Sequence, residues 1–195
     1  MKIFLTFFYL FLSFELFAED IFDLEIEEIS IGDSLLDYMN EEEIITEIRE
    51  NKYMYDYLTD EFGEVYLYNN LNHYDRLSFF VKPKDKNYHI YFIKGSISYN
   101  DKIDQCFVKQ TEIEKEFTLT YKNTTKREGT YYFPWDSSGE SNVYIIEFSF
   151  KDGSFIEVKC AQYKKSLKIE NNWEDSLQVT IGTEEVAKWF NDRID

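Results

Sequence analysis

The first hydrophobic pattern in the chain is an almost unbroken apolar run over residues 3–14, which follows the basic residue Lys2. A few residues later come the small residue Ala18 and an acidic pair. A short basic start, an apolar stretch and a small residue at the cleavage point are typical of an export signal. The alternative, a membrane anchor, needs roughly 20 apolar residues, and Glu15 interrupts this run. Residues 1–18 are therefore predicted to be a signal peptide, and we expect no membrane anchor after processing.

Residues 19–64 show helical spacing of apolar positions on a strongly acidic background. Asp33 or Ser34 can cap a first helical turn, and Asn40 stands three residues before Glu43, which is the spacing of a capping box. The pattern predicts two short helices, or one helix that bends at Asn40. Because the apolar stripe is narrow, this acidic helical segment is predicted to pack on the main domain as a cover, with its carboxylates outward.

From about residue 77 the apolar positions alternate with a period of two, which is typical of half-buried strands. Five strands are predicted in this way. They cover about residues 77–81, 88–99, 144–150, 156–160 and 177–181. Apolar positions at intervals of three and four predict a helix over about 103–121, and a second helix follows Thr183. Strands interrupted by single helices favour an α+β domain over residues 65–195, with an antiparallel sheet of about five strands and helices packed mainly on one face.

The segment 123–142 is rich in Thr, Gly, Pro and Ser, and this composition indicates a long loop. It carries the bulky aromatic residues Tyr131, Tyr132 and Trp135. Long loops inside compact domains are often binding elements, so these three residues are the candidate binding residues. The alternative is that the segment packs down as a flap across the edge of the sheet.

The acidic charge is concentrated in one part of the chain. Residues 19–64 carry 17 acidic and two basic side chains, and the whole chain has a formal net charge of -17 at pH 7. A nucleic-acid partner is disfavoured and none is expected, because phosphate binding requires a basic face and none is evident. An acidic segment is usually a solvated surface, and the alternative is a docking site for a basic partner, with Glu41, Glu42, Glu43 and Glu47 as its contacts.

The two cysteines are predicted to face the same core. Cys106 lies on the apolar stripe of its helix, and Cys160 shares a strand face with Ile156 and Val158. Cysteines that face one core in an oxidising compartment usually pair. We therefore predict a disulfide between Cys106 and Cys160 that joins helix to sheet, with a pair of buried free thiols as the alternative.

Composition and several segments of the chain resemble a known group of proteins. The chain has 18 Phe and 16 Tyr residues, which AT-rich codons encode. The similar segments are residues 29–38 before the Glu-rich helix, the helix with Cys106, and Lys151 to Ser154 leading to Cys160. In these segments the chain resembles small exported proteins of unknown function from AT-rich marine alphaproteobacteria. The resemblance implies export, the cysteine pair and one continuous domain, and it implies no chemistry.

Motifs of the common catalytic and nucleotide-binding classes are missing from the sequence. It has no Gly-x-Ser-x-Gly elbow, no His-Glu-x-x-His, no P-loop and no Gly-x-Gly-x-x-Gly. Asp136 and Glu140 could hold a calcium ion weakly, although a plain turn is expected. The two histidines, His73 and His89, would need several carboxylates to complete a zinc site. We therefore expect no catalytic residues, no cofactor and no metal site.

These observations favour a soluble, non-catalytic binding or interaction module that is periplasmic or secreted. Its partner is expected to be a protein or a small-molecule ligand. Two alternatives remain. One is a carboxylate-dependent periplasmic hydrolase built around the aromatic loop, and the other is a structural protein associated with the envelope.

Overall fold

The structure is a computed structural model that describes residues 20–55, 58, 60–100, 102–134 and 136–192. The predicted signal peptide over residues 1–18 lies outside these residues, and so does Trp135. In the part that is described, four α-helices accompany a seven-stranded antiparallel sheet and a separate two-stranded sheet. The predicted α+β class is therefore confirmed.

The main sheet contains all strands except the first two. Strands β1 (Glu25–Ile26) and β2 (Ile29–Ser30) form the small sheet, and short 3-10 helices occur at Ile21–Asp23 and Leu35–Asp37. The main strands are β3 (Gly63–Leu67), β4 (Arg76–Val81), β5 (Ile90–Asn100), β6 (Thr125–Tyr132), β7 (Asn142–Ser149), β8 (Phe155–Gln162) and β9 (Asp175–Gly182). The helices are α1 (Glu41–Met54), α2 (Ile103–Thr120), α3 (Lys165–Asn171) and α4 (Glu184–Asn191). The order of strands across the sheet is β3-β4-β5-β9-β8-β7-β6.

Local sequence signals explain where two of the helices begin. Asn40 Oδ1 accepts a hydrogen bond from the Glu43 amide at 3.0 Å, and the Glu43 carboxylate accepts one from the Asn40 amide at 3.3 Å. This reciprocal pair is the predicted capping box, and it satisfies two amides at the start of α1. Thr183 caps α4 in the predicted way, through Oγ1 and the Val186 amide. No described helix has both the length and the apolar character that a membrane-crossing helix needs.

The prediction of about five strands is wrong, because the sheet has two edge strands that the sequence pattern did not indicate. All five predicted strands are present, as β4, β5, β7, β8 and β9. β6 lies in the segment predicted as a long loop, and nearly all of its side chains are exposed on both faces, so no apolar alternation marks it. β3 has only five residues and includes the buried acid Glu64. Its short, irregular pattern carries little periodic signal.

Helices pack on both faces of the sheet, although mainly one face was predicted. Cys106 of α2 belongs to the main core together with Phe79. Trp189 of α4 instead packs in a second cluster with Phe80. Because consecutive strand residues point to opposite faces, α2 and α4 lie on opposite sides of the sheet. α4 packs against a cluster of aromatic side chains on its face, and polar side chains occupy the next rows of that face.

The N-terminal segment is part of the main core, which corrects the prediction that it is a peripheral cover. Six of its apolar side chains are buried in the same cluster as Leu177 and Ile181 of β9. They are Ile21, Ile26, Ile29, Ile31, Leu35 and Ile44. Most of these residues come from the small sheet, from single turns and from extended chain. Each of these side chains enters the main core from a different short element, so the sequence shows no broad stripe of apolar residues at helical spacing.

Helix α1 covers the β3 edge of the sheet through side-chain hydrogen bonds. Asn51, which is buried, donates from Nδ2 to the Glu64 carbonyl at 2.9 Å. The Tyr66 amide donates to the Glu47 carboxylate at 3.1 Å. An uncovered edge strand would offer such groups to another chain, so α1 closes this edge, whereas no described strand pairs with the outer side of β6.

A disulfide joins Cys106 of α2 to Cys160 of β8, which is the pairing that the sequence predicted. The two Cα atoms are 6.0 Å apart, and both side chains are buried. One turn further along α2, Gln110 Nε2 donates to the carbonyls of Tyr144 and Val158 at 2.9 and 2.8 Å. α2 is therefore attached to the sheet by a covalent bond and by two hydrogen bonds from one amide.

Candidate functional site

A cleft of about 510 Å³ opens on the α4 side of the sheet, and its floor lies across β4, β5 and β9. Arg76, Ser96 and Gln178 form one row of this floor, because they are directly paired across the three strands. Ser98 and Ser176 form the next row. Directly paired residues on antiparallel strands share one face of the sheet. The strand register therefore brings five polar side chains together from three separate parts of the sequence.

Aromatic side chains form two walls of the cleft. Tyr66 and Tyr68 stand on the β3 side, with ring centroids 6.1 Å apart. Tyr163 and Trp173 stand on the opposite side, with ring centroids 5.1 Å apart. A polar floor between ring-bearing walls is the usual composition of a small-molecule site, in which rings supply contact area and a few polar groups orient the ligand.

The insertion between β8 and β9 positions the Tyr163 and Trp173 wall. Asp175, which is buried, accepts a hydrogen bond from the Tyr163 amide at 2.9 Å and binds Lys168 Nζ of α3 at 2.6 Å. Asn172 ends α3 in the left-handed conformation that Asn tolerates well, with a φ of 54°. The Trp173 amide then donates back to the Lys168 carbonyl at 3.2 Å. These contacts fix the chain on both sides of α3.

Two buried polar atoms in the floor have no hydrogen-bond partner among the described residues, namely Arg76 Nε and Ser96 Oγ. Ser96 is only 7% exposed. The Arg76 guanidinium lies over the ring of Tyr66, with 5.1 Å between Cζ and the ring centroid, and it forms no salt bridge with any carboxylate that the structure describes. Buried polar groups are nearly always hydrogen-bonded, so each exception calls for an explanation.

Beside Arg76 and Ser96, on the same face of the sheet, Glu64 and Lys94 form a charge-balanced pair. Glu64 is fully buried, accepts a hydrogen bond from Ser78 Oγ at 2.5 Å, and lies 3.7 Å from Lys94 Nζ. Burial lowers the pKa of Lys94, the charge of Glu64 partly offsets that effect, and the positive charge of Arg76 lowers the pKa further. Glu64 thus offsets the charge of Lys94, whereas none of the described carboxylates forms a salt bridge with Arg76.

The predicted binding residues Tyr131 and Tyr132 do not line this cleft. Both lie on β6, with exposed fractions of 51% and 62%. The Tyr131 ring contacts Phe133 at a centroid distance of 5.8 Å, and Phe133 stacks on Tyr163 of the cleft wall at 5.5 Å. A series of ring contacts therefore connects Tyr131 to the wall. The third predicted residue, Trp135, lies outside the described residues.

Two acidic residues have structural roles, namely Asp136, which was considered as a calcium ligand, and Glu47, which was considered as a contact for a basic partner. Asp136 accepts hydrogen bonds from the Ser138 hydroxyl and from the amides of Ser138 and Ser141, and these bonds hold its pKa below the usual range. This is the plain turn that was expected there. Glu47 accepts the Tyr66 amide at the β3 edge, so it is engaged within the fold. Neither carboxylate contributes to the cleft.

Sequence reasoning did not identify the cleft, because its floor residues look like ordinary solvent-facing positions of alternating strands. One available signal was Arg76 at the start of a strand, in a chain with far more acidic than basic residues. That signal gains meaning only when the register aligns Arg76 with Ser96 and Gln178.

Comparison of the chain with protein-family models, with curated proteins and with solved structures finds no match. The resemblance to exported alphaproteobacterial proteins stays a prediction.

Proposed function

We propose that the protein is an exported binding protein that holds a small polar ligand in the cleft over β4, β5 and β9. The observation that carries this proposal is the pair of unpartnered buried atoms, Arg76 Nε and Ser96 Oγ, on the floor between two aromatic walls. An unsatisfied buried polar group costs about 1–3 kcal/mol. A ligand that hydrogen-bonds to both atoms recovers this cost, and this recovery supports binding at that position.

Export is the second part of the proposal. The apolar run over residues 3–14 supports it, and so does the disulfide between Cys106 and Cys160, since such bonds persist in oxidising compartments. We propose a periplasmic or secreted location on these grounds.

A binding role has more support than the hydrolase alternative. A carboxylate-dependent hydrolase needs two acids that converge on one substrate bond. Near the aromatic segment, Asp136 is engaged in its own turn, and Glu140 lies 3.9 Å from Lys164. Tyr131 and Tyr132, which are exposed on the edge strand β6, stay candidate contacts for a protein partner.

The first prediction tests the cleft as a binding site. Ser98 is an exposed strand residue on the cleft floor, and Thr130 is an exposed strand residue on β6, outside the cleft. Ser98→Trp should fill the cleft and abolish ligand binding, whereas the matched variant Thr130→Trp should retain it. The measurement is a two-dimensional amide NMR titration with a library of saccharides and organic acids.

In that titration, ligand binding should shift the amide signals of Arg76, Ser96 and Gln178. Ser98→Trp should remove these shifts. If no compound shifts these amides, or if the shifts persist in Ser98→Trp, the cleft is not the binding site and the proposed function is wrong.

A further inference from the structure

We propose that the ligand presents a carboxylate to the cleft and that Arg76 and Ser96 bind this carboxylate together. The inference rests on the proposed binding function and names the chemical class of the ligand.

The geometry of the floor suits a planar anion. Arg76 and Ser96 are direct cross-strand neighbours on β4 and β5, and the Cβ atoms of such pairs lie about 4.5–5.5 Å apart. A guanidinium presents parallel N–H donors in a rigid planar fork that matches the two oxygens of a carboxylate. Tyr66 lies against the guanidinium, which limits its rotation. The Ser96 hydroxyl supplies a further donor beside this fork.

Two carboxylates line the cleft as well, Asp75 and Glu174, so the case for an anion rests on the donors of Arg76 and Ser96 and not on the net charge of the lining. Asp75, the acid next to Arg76 in the chain, accepts the Ser98 amide at 2.6 Å and is thereby engaged within the fold. Glu64 is engaged by Ser78 and lies beside Lys94. Glu174 lines the cleft next to Trp173, but its side chain is exposed to solvent. An anion between the walls would form with Arg76 the direct ion pair that no described carboxylate forms with it.

The opposite wall indicates what the carboxylate is attached to. Tyr163 and Trp173 present rings to the cleft, and Trp173 is 40% exposed. Rings of this kind stack on the flat faces of sugars and of aromatic groups. Ser176 and Gln178 lie on the floor and can bind hydroxyl groups. The ligand is therefore a ring-bearing carboxylate, such as a uronic acid or an aromatic acid.

The second prediction compares each acid with its neutral amide on the complete, disulfide-bonded protein. The probes are D-glucuronate with D-glucuronamide for the sugar source, and benzoate with benzamide for the aromatic source. At least one acid should bind roughly tenfold more tightly than its amide, because a charge-assisted, two-pronged contact is lost in the amide. The tighter of the two acids identifies the source. Calorimetric titration gives the affinities, and amide NMR shifts at Arg76 and Ser96 give the position.

Variants of arginine supply the control. Arg76→Gln should remove the preference for the acid, and Arg76→Lys should restore only part of it, because lysine keeps the charge and loses the planar fork. Arg127→Gln removes the same charge from the exposed strand β6 and should leave the preference unchanged. Thermal melting of all three variants shows whether each one is folded.

The outcomes distinguish failure of the carboxylate inference from failure of the proposed binding function. Equal affinity of acid and amide, tighter binding of inorganic phosphate than of either acid, or an unchanged preference in folded Arg76→Gln overturns the carboxylate inference. If neutral saccharides bind in the cleft without any acid preference, the proposed binding function stands and only the carboxylate inference fails. If neither the acids nor any neutral compound shifts the cleft amides, both proposals fail.

Discussion

Glu27 and Glu28 form the two-residue turn between β1 and β2, and both have positive φ angles, of 55° and 64°. This left-handed conformation costs roughly 1–2 kcal/mol for each non-glycine residue. Glu27 offsets the cost through its side chain, which is only 3% exposed. The carboxylate accepts the amides of Asn72, His73 and Tyr74 at 2.8, 2.5 and 3.0 Å. One side chain thus fastens the small sheet to the connection between β3 and β4.

The third prediction follows from the pKa of Glu27. Burial alone would raise this pKa, but the backbone donors outweigh burial and lower it below the ordinary value of 4.5. Because the folded-state pKa is depressed, Glu27 stabilises the fold above pH 4.5, and this contribution is lost as the pH falls through the folded-state pKa. Glu27→Gln should lower the free energy of unfolding at pH 7 by about 1.5–3 kcal/mol, as measured by denaturant titration.

Glu28→Gln is the matched control for that prediction, since Glu28 occupies the same turn with an exposed side chain. It should leave the free energy of unfolding nearly unchanged. The difference between wild type and Glu27→Gln should shrink once the pH is below the folded-state pKa of Glu27. A difference that is constant with pH would show that the charge of Glu27 does not stabilise the fold.

At the scale of elements, the two edge strands are protected in different ways. α1 covers β3 with Asn51 and Glu47, whereas β6 carries charged side chains at Lys126, Arg127 and Glu128. Charged residues are a common device against association between exposed edges. On the face of the sheet that α2 covers, the disulfide between Cys106 and Cys160 fixes α2 against β8.

The fourth prediction concerns this disulfide. The two cysteines are 54 residues apart, and closing a loop of this length contributes roughly 4 kcal/mol in the chain-entropy model. Reduction should lower the free energy of unfolding by at most about this amount and leave a folded domain, since most of the core is independent of the bond. The measurement is denaturant unfolding of the oxidised and reduced protein.

Alanine variants test the same bond. Cys106→Ala and Cys160→Ala should cost similar amounts, and the double variant should cost little more than either single variant, because each change breaks the same bond. Costs that add in the double variant, or two free thiols in unfolded and unreduced protein, would contradict the pairing.

At the scale of the whole molecule, the acidic N-terminal segment and the sheet share one core. Ile29 of β2 and Ile181 of β9 are both buried in the main cluster, although they are far apart in the sequence. Ile45 of α1 is 48% exposed, although it lies next to the fully buried Ile44. The segment therefore combines a solvated acidic surface with side chains that complete the interior.

The fifth prediction separates a shared core from a cover. Ile29→Ala should lower the free energy of unfolding by about 2–5 kcal/mol, as Ile181→Ala should, because each change leaves a cavity in a packed interior. Ile45→Ala should cost less than about 1 kcal/mol, since much of its side chain is in water. Thermal or denaturant unfolding of the three variants provides the comparison. A small effect of Ile29→Ala would return the segment to the role of a peripheral cover.

The sequence alone was sufficient for the features that depend on local interactions. Period-two alternation predicted β4, β5, β7, β8 and β9, and helical spacing predicted α2. The caps of α1 and α4 were predicted because a capping residue and its partners lie within three positions of each other. It was also predictable that Cys106 and Cys160 face the same core. Helical spacing places Cys106 on the apolar side of α2, and strand alternation places Cys160 on the apolar face of β8.

Tertiary structure decided the edges of the sheet, the membership of the core and the cleft. β6 forms because β7 offers it a partner, and its exposed side chains carry no periodic signal. Whether Arg76 has a counter-charge depends on which strands lie beside β4 and on the register of their pairing. Strand order and register are set by contacts between residues far apart in the chain. Local patterns show which way a side chain points, and only the assembled sheet determines which side chain it meets.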